Sequence, residues 1–354
     1  MAEDTTVTLA HITTVPQSLA FVQGQVGYMQ ARGFRVYAIS SPGPRLEPFG
    51  RETGVTTHAI EMPRRITPLQ DLRALARLWR LLRRLRPTIV HAHTPKGGLL
   101  GMVAAWLARI PVRIYHVHGL PLMTAEGLKR SVLTWSERVS CACAHQVLCV
   151  STSVQRAAID LKLCRNQKIS VLASGTINGV DATNRFNPAT LPETTRAEMR
   201  FAWGIAADAH VIGFAGRIVH DKGIDDLVTA WEQLKAVNPG VHLVLAGVFE
   251  SQDPVTDTTR TVLQADPDIH LLGHVTNMPA FYQGLDLLVL PTHREGFPYV
   301  PMEASAMALP VVATNIPGCV DAVIDGVTGT LVPPRDPAAL AEAIARYLDD
   351  PDLR

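Results

Sequence analysis

The residues with the most chemistry to offer stand close together: Arg294, Glu295, Gly296, Phe297 and, a little later, Glu303. They follow an apolar run at 285–291 that reads as a buried strand, and they lead into a short helix. Glu295 falls in the loop and Glu303 about a turn inside the helix. Backbone N–H groups at a helix start have no partner within the helix, so they can bind acceptor atoms. Two carboxylates beside such N–H groups suit a ligand that carries both hydroxyls and an anion. A capped helix after a strand, holding nothing, explains the same stretch.

A second stretch complements the first. Gly216-Arg217-Ile218-Val219-His220-Asp221-Lys222-Gly223 lies between a strand at 210–215 and a helix whose apolar face carries Ile224, Leu227, Val228, Trp231 and Leu234. A glycine-bounded basic loop there makes an anion cradle. Arg217 can fork two phosphate oxygens and Lys222 adds a point charge. Two surface charges are the plainer reading. The spacing is not that of a Walker loop, and no Gly-x-Gly-x-x-Gly follows the first strand, which argues against a dinucleotide cofactor.

Histidines form the third group. His91 and His93 alternate along one strand, and His116 and His118 along the next, so each pair shares a face. No carboxylate or cysteine accompanies them locally, and no metal site is expected. His118, followed by glycine at a strand end, is placed to hydrogen-bond a ligand. Lys96, beside two glycines, is placed to meet an acidic group on an acceptor. Asp266-Pro267-Asp268 precedes a strand and reads as a turn.

Elements that would position these residues recur along the chain. Runs rich in Val, Ile and Thr at 8–14, 35–41, 57–62, 88–93, 113–118, 146–151 and 169–174 read as buried strands. A second series follows at 210–215, 242–247, 269–275, 285–291, 310–314 and 329–333. Helix-period stretches separate most of them, which gives an α/β fold of two doubly wound, Rossmann-like parallel sheets. The first helix is expected over 18–32, with Gly24 and Gly27 at a close packing contact. At 354 residues, two domains are natural, 1–190 and 191–354, with the boundary in a polar, proline-punctuated stretch. The two would leave a cleft between facing strand ends, with Arg217, Lys222, Glu295 and Glu303 on one side and His118 on the other.

Charge divides the chain. Residues 1–195 hold 23 Lys+Arg against 11 Asp+Glu, and residues 196–354 hold 10 against 21, so near-neutrality hides one basic and one acidic half. The segment 68–86 is a candidate amphipathic helix with Leu72, Leu75, Leu78, Leu82 and Leu85 at helical spacing. Arg73, Arg77, Arg80 and Arg84 are among its six arginines. They complement the helix dipole and also suit an anionic membrane surface. Met1-Ala2-Glu3-Asp4 is acidic, leads into an expected strand and does not read as a signal peptide. No apolar run is long enough to span a bilayer. Cys141, Cys143, Cys149, Cys164 and Cys319 include no Cys-x-x-Cys pair, and read as scattered thiols of a reducing cytoplasm.

Taken in order, His93-Thr94-Pro95-Lys96, Val117-His118-Gly119, Asn178-Gly179-Val180-Asp181, the Gly216 to Gly223 loop, and Glu295 with seven residues before Glu303 resemble a retaining glycosyltransferase of family 4. The resemblance covers nearly the whole chain and implies the two-domain GT-B architecture. Within the family, the chain is similar to bacterial capsule, exopolysaccharide and glycan transferases that extend undecaprenyl-diphosphate-linked sugars.

The resemblance implies a UDP-sugar as donor, a hexose or N-acetylhexosamine, with no metal required and no nucleic-acid partner. Arg217 and Lys222 would hold the diphosphate, Glu303 the ribose hydroxyls, and the Val275 backbone the uracil. Glu295, with Gly296 and Phe297, would hold the donor sugar, and His118 would contact it near the reacting carbon. Ser18 and Lys96 would lie on the acceptor side. The expected place is the cytoplasmic face of the inner membrane, as a peripheral protein. Departures from the family are Pro16-Gln17-Ser18 in place of paired glycines, Tyr299 and Pro301 within the two-glutamate motif, and a chain that stops before a last helix returning to the first domain. A UDP-sugar 2-epimerase shares this scaffold, and a non-catalytic nucleotide-sugar-binding scaffold is the alternative of another class.

Overall fold

The structure, a computed structural model, describes residues 6–354. The acidic start, Met1 to Asp4, lies outside the described residues. The chain divides into two compact units between Asn178 and Gly179, ahead of the expected 190/191 boundary. The intervening stretch belongs to the second unit because Phe186 is buried in that unit's core and Val180 and Leu191 pack on it.

In the first unit, the described residues form a seven-stranded parallel sheet. Its strands are β1 (Thr8–Ile12), β2 (Arg35–Ser40), β3 (Thr56–Ala59), β4 (Ile89–His93), β5 (Val112–Val117), β6 (Gln146–Cys149) and β7 (Ile169–Val171). Their order is β3-β2-β1-β4-β5-β6-β7. In the second unit, β8 (His210–Ala215), β9 (Val241–Ala246), β10 (Ile269–Gly273), β11 (Leu287–Leu290), β12 (Val311–Thr314) and β13 (Gly329–Val332) run in the order β10-β9-β8-β11-β12-β13. Each expected strand is present, shortened at one or both ends in most cases. Inner strands are covered by helices on both faces and are buried: Leu287, Leu288, Val289 and Leu290 all are, and in the first sheet buried histidines join the apolar residues at the strand ends.

Both sheets reverse direction of winding once, between β1 and β4 and between β8 and β11. Ligands of such folds bind outside the carboxyl ends of the strands that flank the reversal. The loops that follow β8 and β11 are the two in which the sequence placed its cations and carboxylates.

Three helical expectations change. The segment after β1 opens as a 3-10 helix, Pro16–Val22, and turns α-helical only over Gln23–Gln30. No side chain caps either start, and glycines at 24 and 27 support helix poorly. Those glycines face open space, with nothing within 4 Å of a Cβ built on them, so they make no close packing contact. In the Pro68–Leu85 helix, Ala74, Leu78 and Leu82 point inward while Leu72 is exposed. Its buried stripe is therefore narrower than the leucine spacing suggested.

Candidate active site

The loops after β8 and β11 are tied together by backbone. Gly223 has φ 67°, and a Cβ there would lie 1.9 Å from the Pro291 carbonyl oxygen. Only glycine tolerates both the left-handed conformation and that approach. The His293 N–H donates to the Asp221 carbonyl at 2.9 Å, and the Thr292 hydroxyl donates to the same oxygen at 3.2 Å. Arg294 pairs with the Asp221 carboxylate. His293 Nε2 meets Asp226 at 2.7 Å.

Within this framework, Lys222 Nζ pairs with Glu295 Oε1, and both side chains are largely buried. Arg217 pairs with Glu250 at 2.9 Å and stays half exposed. Glu303 sits in the helix Tyr299–Ala306 and accepts a 2.7 Å hydrogen bond from the Tyr282 hydroxyl. Burial lifts Glu303 above the usual carboxylate range, and the Tyr282 bond partly offsets it. Gly296 is buried and Phe297 half buried at the turn before the helix.

A cavity of about 340 Å³ opens at this strand end. Arg217, Val275 and Glu303 line it, with Gly216, Gly247 and Val300. Gly247 matters because a Cβ there would fall 1.8 Å from the Gly216 carbonyl oxygen, closing the β8 and β9 ends against each other. Lys222 and Glu295 are not among the lining residues; they stand as a pair within the neighbouring loops. Sequence reasoning missed Glu250, Tyr282 and Gly247. Their types carry no motif, and only the fold brings them here.

In the first unit, His118 lies at the end of β5, its ring stacked on Phe21 with centroids 5.0 Å apart. Its Nε2 is 3.0 Å from His93 Nδ1, and His93 Nε2 is 3.1 Å from His11 Nδ1. Each contact uses one N–H and one lone pair, so the three rings form a hydrogen-bonded chain. His91 and His116 stack beside it, centroids 5.4 Å apart. Burial holds these imidazoles neutral: His11 is lowered to about 3 and His116 to about 4. His91, His93 and His118 also fall well below their ordinary value. The donor atoms of His11, His91 and His93 lie within 4.8 Å of one another, as do those of His93, His116 and His118. Among the described residues these trios have the spacing to hold a borderline transition-metal ion, and no carboxylate or thiol belongs to either. His11 is the member that sequence reasoning missed, because it comes from another strand.

The remaining sequence candidates are scattered. Ser18 lies in the 3-10 helix after β1, its N–H donating to Val15. Lys96 is held by Asp71 at 2.8 Å and by the Arg65 carbonyl, so it is already engaged. Arg73, Arg77, Arg80 and Arg84 are exposed on their helix. The helix Gly127–Cys143 was not singled out, yet Leu128, Val132, Trp135 and Val139 form an exposed apolar stripe along it. Lys129 and Arg130 flank the stripe and are also exposed. The spacing of four, three and four residues was visible in the sequence; its outward direction was not.

Comparison with known proteins bears on both units. Residues 20–175 match the family model described as Glycosyl transferase 4-like domain, and residues 209–350 match that described as Glycosyl transferases group 1. Over 344 residues the chain is 34% identical to the capsular polysaccharide biosynthesis glycosyltransferase CapM of Staphylococcus aureus, covering 97% of this chain and 88% of CapM. The chain belongs to the group 1, 4-like glycosyltransferases. This transferase is also 28% identical to the UDP-Gal:alpha-D-GlcNAc-diphosphoundecaprenol alpha-1,3-galactosyltransferase of Escherichia coli, over 81% of the chain and 73% of that enzyme. Its fold matches HepE of Anabaena, solved in complex with UDP, with a TM-score of 0.77 at 20% identity, covering 98% of this chain and 91% of HepE. The two parallel-sheet units are thus those of a GT-B transferase. Capsule or related glycan synthesis is its field of activity.

Proposed function

We propose that this transferase moves a sugar from a UDP donor, with retention of configuration, to a saccharide carried on a lipid diphosphate. The observation that carries the reading is the cavity between the β8, β9 and β10 strand ends and the Tyr299–Ala306 helix, where Arg217 and Glu303 line one space. A nucleoside diphosphate needs a cation for its phosphates and an acceptor for its ribose hydroxyls, and this cavity offers both. UDP-bound HepE and the lipid-linked acceptor in the name of the E. coli relative support the choice of donor and acceptor class.

In this reading, Glu303 accepts the ribose hydroxyls and the Val275 backbone faces the uracil. Arg217 and Lys222 meet the diphosphate. Negative charge grows on the leaving phosphate as the glycosidic bond breaks, and fixed cations aimed there stabilise it most. They supply what a divalent ion supplies in other transferases, so transfer proceeds after treatment with EDTA. Lys222, drawn to the diphosphate, releases Glu295 to bind donor-sugar hydroxyls with the Gly296 and Phe297 backbone. His118 contacts the sugar as a neutral imidazole. The acceptor's lipid places the protein on the inner membrane's cytoplasmic face. There the arginines of the Pro68–Leu85 helix meet anionic headgroups, and the apolar stripe around Trp135 enters the acyl boundary.

The deciding experiment offers a mixed pool of nucleotide sugars with undecaprenyl-diphosphate-linked GlcNAc and reads products by mass spectrometry and anomeric NMR. An extended lipid-linked product with the donor's anomeric configuration is expected. Inverted product, a non-uridine donor, or epimerised sugar released without acceptor would overturn the reading.

A further inference from the structure

A cavity of about 540 Å³ in the first unit is not used by the function above. It lies between the carboxyl-terminal half of the Gly127–Cys143 helix and the turn that leads to β7. Arg138, Lys162, Arg165 and Lys168 line it, and no acidic residue does. Two of these cations are fixed by backbone. Arg138 Nε donates to the Lys162 carbonyl at 3.2 Å, and Lys168 Nζ donates to the Ala142 carbonyl at 3.1 Å. Four cations converging on one open space give a local positive potential that gathers small anions.

Two thiols share the same lining. Cys141 is buried in the core and Cys164 is half buried at the cavity wall. Both line one cavity wall, and Cys141, keeping its proton, acts as donor toward the Cys164 sulfur. The bond from Cys141 holds the Cys164 thiol below its ordinary range, against burial, and Lys168 adds to the effect. Cys143, by contrast, is raised by burial, and so are Cys149 and Cys319. Cys143 is also half buried and feels Arg113 and Lys168, but it does not line this cavity; Cys164 alone among the described half-buried thiols stands in the cationic lining beside a second cysteine.

We propose that Cys164 is a site of reversible thiol modification, reached through the cationic cavity by anionic low-molecular-weight disulfides, with Cys141 as the resolving thiol. The Cys164 thiolate attacks one sulfur of a disulfide RSSR. A Cys164–SR bond forms, the reagent's S–S bond breaks, and RS⁻ leaves with the electron pair and takes a proton from water. Cys141 then gives its proton to solvent and attacks the Cys164 sulfur. That step expels the second RS⁻ and joins Cys141 to Cys164. Two protein thiols are oxidised and one disulfide is reduced to two thiols. Burial of Cys141 makes the second step the slower one, so the mixed disulfide appears first.

The test uses the full chain, oxidised glutathione as the anionic reagent and 2-hydroxyethyl disulfide as the neutral one, with peptide mapping by mass spectrometry. A glutathione adduct on Cys164 is expected first, about tenfold faster than on the half-buried Cys143, followed by a Cys141–Cys164 disulfide. In Cys141→Ser the adduct should persist instead of resolving. The double variant Lys162→Gln, Arg165→Gln should slow the glutathione reaction about tenfold while leaving the neutral reagent's rate unchanged. Modification of Cys143 ahead of Cys164, equal slowing of both reagents in the charge variant, or unchanged resolution in Cys141→Ser would each overturn the proposal. Circular dichroism of each variant identifies any that fail to fold; Cys164→Ala then serves in place of a misfolded Cys141→Ser, and loss of the fast adduct is the expected result.

Discussion

The two units close their strand ends with opposite materials. At the β1/β4/β5 ends of the first unit stand neutral imidazoles, His11, His91, His93, His116 and His118, packed ring on ring. At the β8/β11 ends of the second unit stand ion pairs, Lys222 with Glu295 and Arg294 with Asp221, in loops drawn together at Gly223. The sheets share a winding pattern, so the contrast comes from the side chains alone. Charge at a strand end suits a charged ligand that replaces an internal partner. A buried neutral cluster holds geometry without competing for that ligand's charge, because burial makes protonation costly.

The sharpest break of this contrast is Lys222→Ala. On the proposed reading, in which Lys222 meets the leaving diphosphate, its removal should lower kcat by about 10²–10³-fold, and it should also lower the unfolding temperature because Glu295 is left buried without its partner; steady-state transfer assays on the folded variant read the first effect, and wild-type turnover would remove Lys222 from the site. Backbone comes next. Gly223→Ala should cost about 2–3 kcal/mol, since it combines left-handed strain with a 1.9 Å clash. Gly27→Ala in the first unit, facing open space in a helix, should instead stabilise by about 0.5–1 kcal/mol. Chemical denaturation of both variants measures the pair, and a common sign would contradict the packing described.

Acid distinguishes the units through their histidines. For His11, His91, His93 and His116, the folded pKa lies below the unfolded value of 6.5. The unfolded chain then binds protons that the folded chain refuses. Stability is kept above about pH 6.5 and falls as the pH drops below it, continuing toward about 4 for His116 and about 3 for His11. Each such group removes up to ~1.4 kcal/mol per pH unit in that window. Hydrogen exchange at pH 7 and 5.5 should show β1, β4 and β5 losing protection before β8 and β11. The smallest effect per residue is at the surface: changing any one of Arg73, Arg77, Arg80 and Arg84 to Gln should weaken binding to anionic vesicles by at most about 1 kcal/mol, with a marked salt dependence. Trp135→Ser should weaken it with little salt dependence, and equal salt slopes would merge the two surfaces into one mechanism.

Much of this was legible before any coordinates. The thirteen strands were, because parallel strands buried on both faces read as short runs of Val, Ile and Leu whatever they pack against. Glu295 and Glu303, and Arg217 and Lys222, were legible as groups because a strand–loop–helix corner is a local feature. The inward turn of Ala74 and the outward turn of Leu72 were not, since helical spacing fixes which residues share a face and leaves open how wide a face is covered. Gly24 and Gly27 misled for the same reason: a glycine's neighbours cannot be read from its own position.

Sequence alone determined the architecture and the stock of reactive side chains, because backbone geometry and hydrophobic period act over a few residues. Tertiary structure alone decided the partnerships: Tyr282 on Glu303, Glu250 on Arg217, His11 on His93, Cys141 on Cys164. Each joins residues distant along the chain, and a hydrogen bond or ion pair depends on ångström-scale approach that no local pattern encodes.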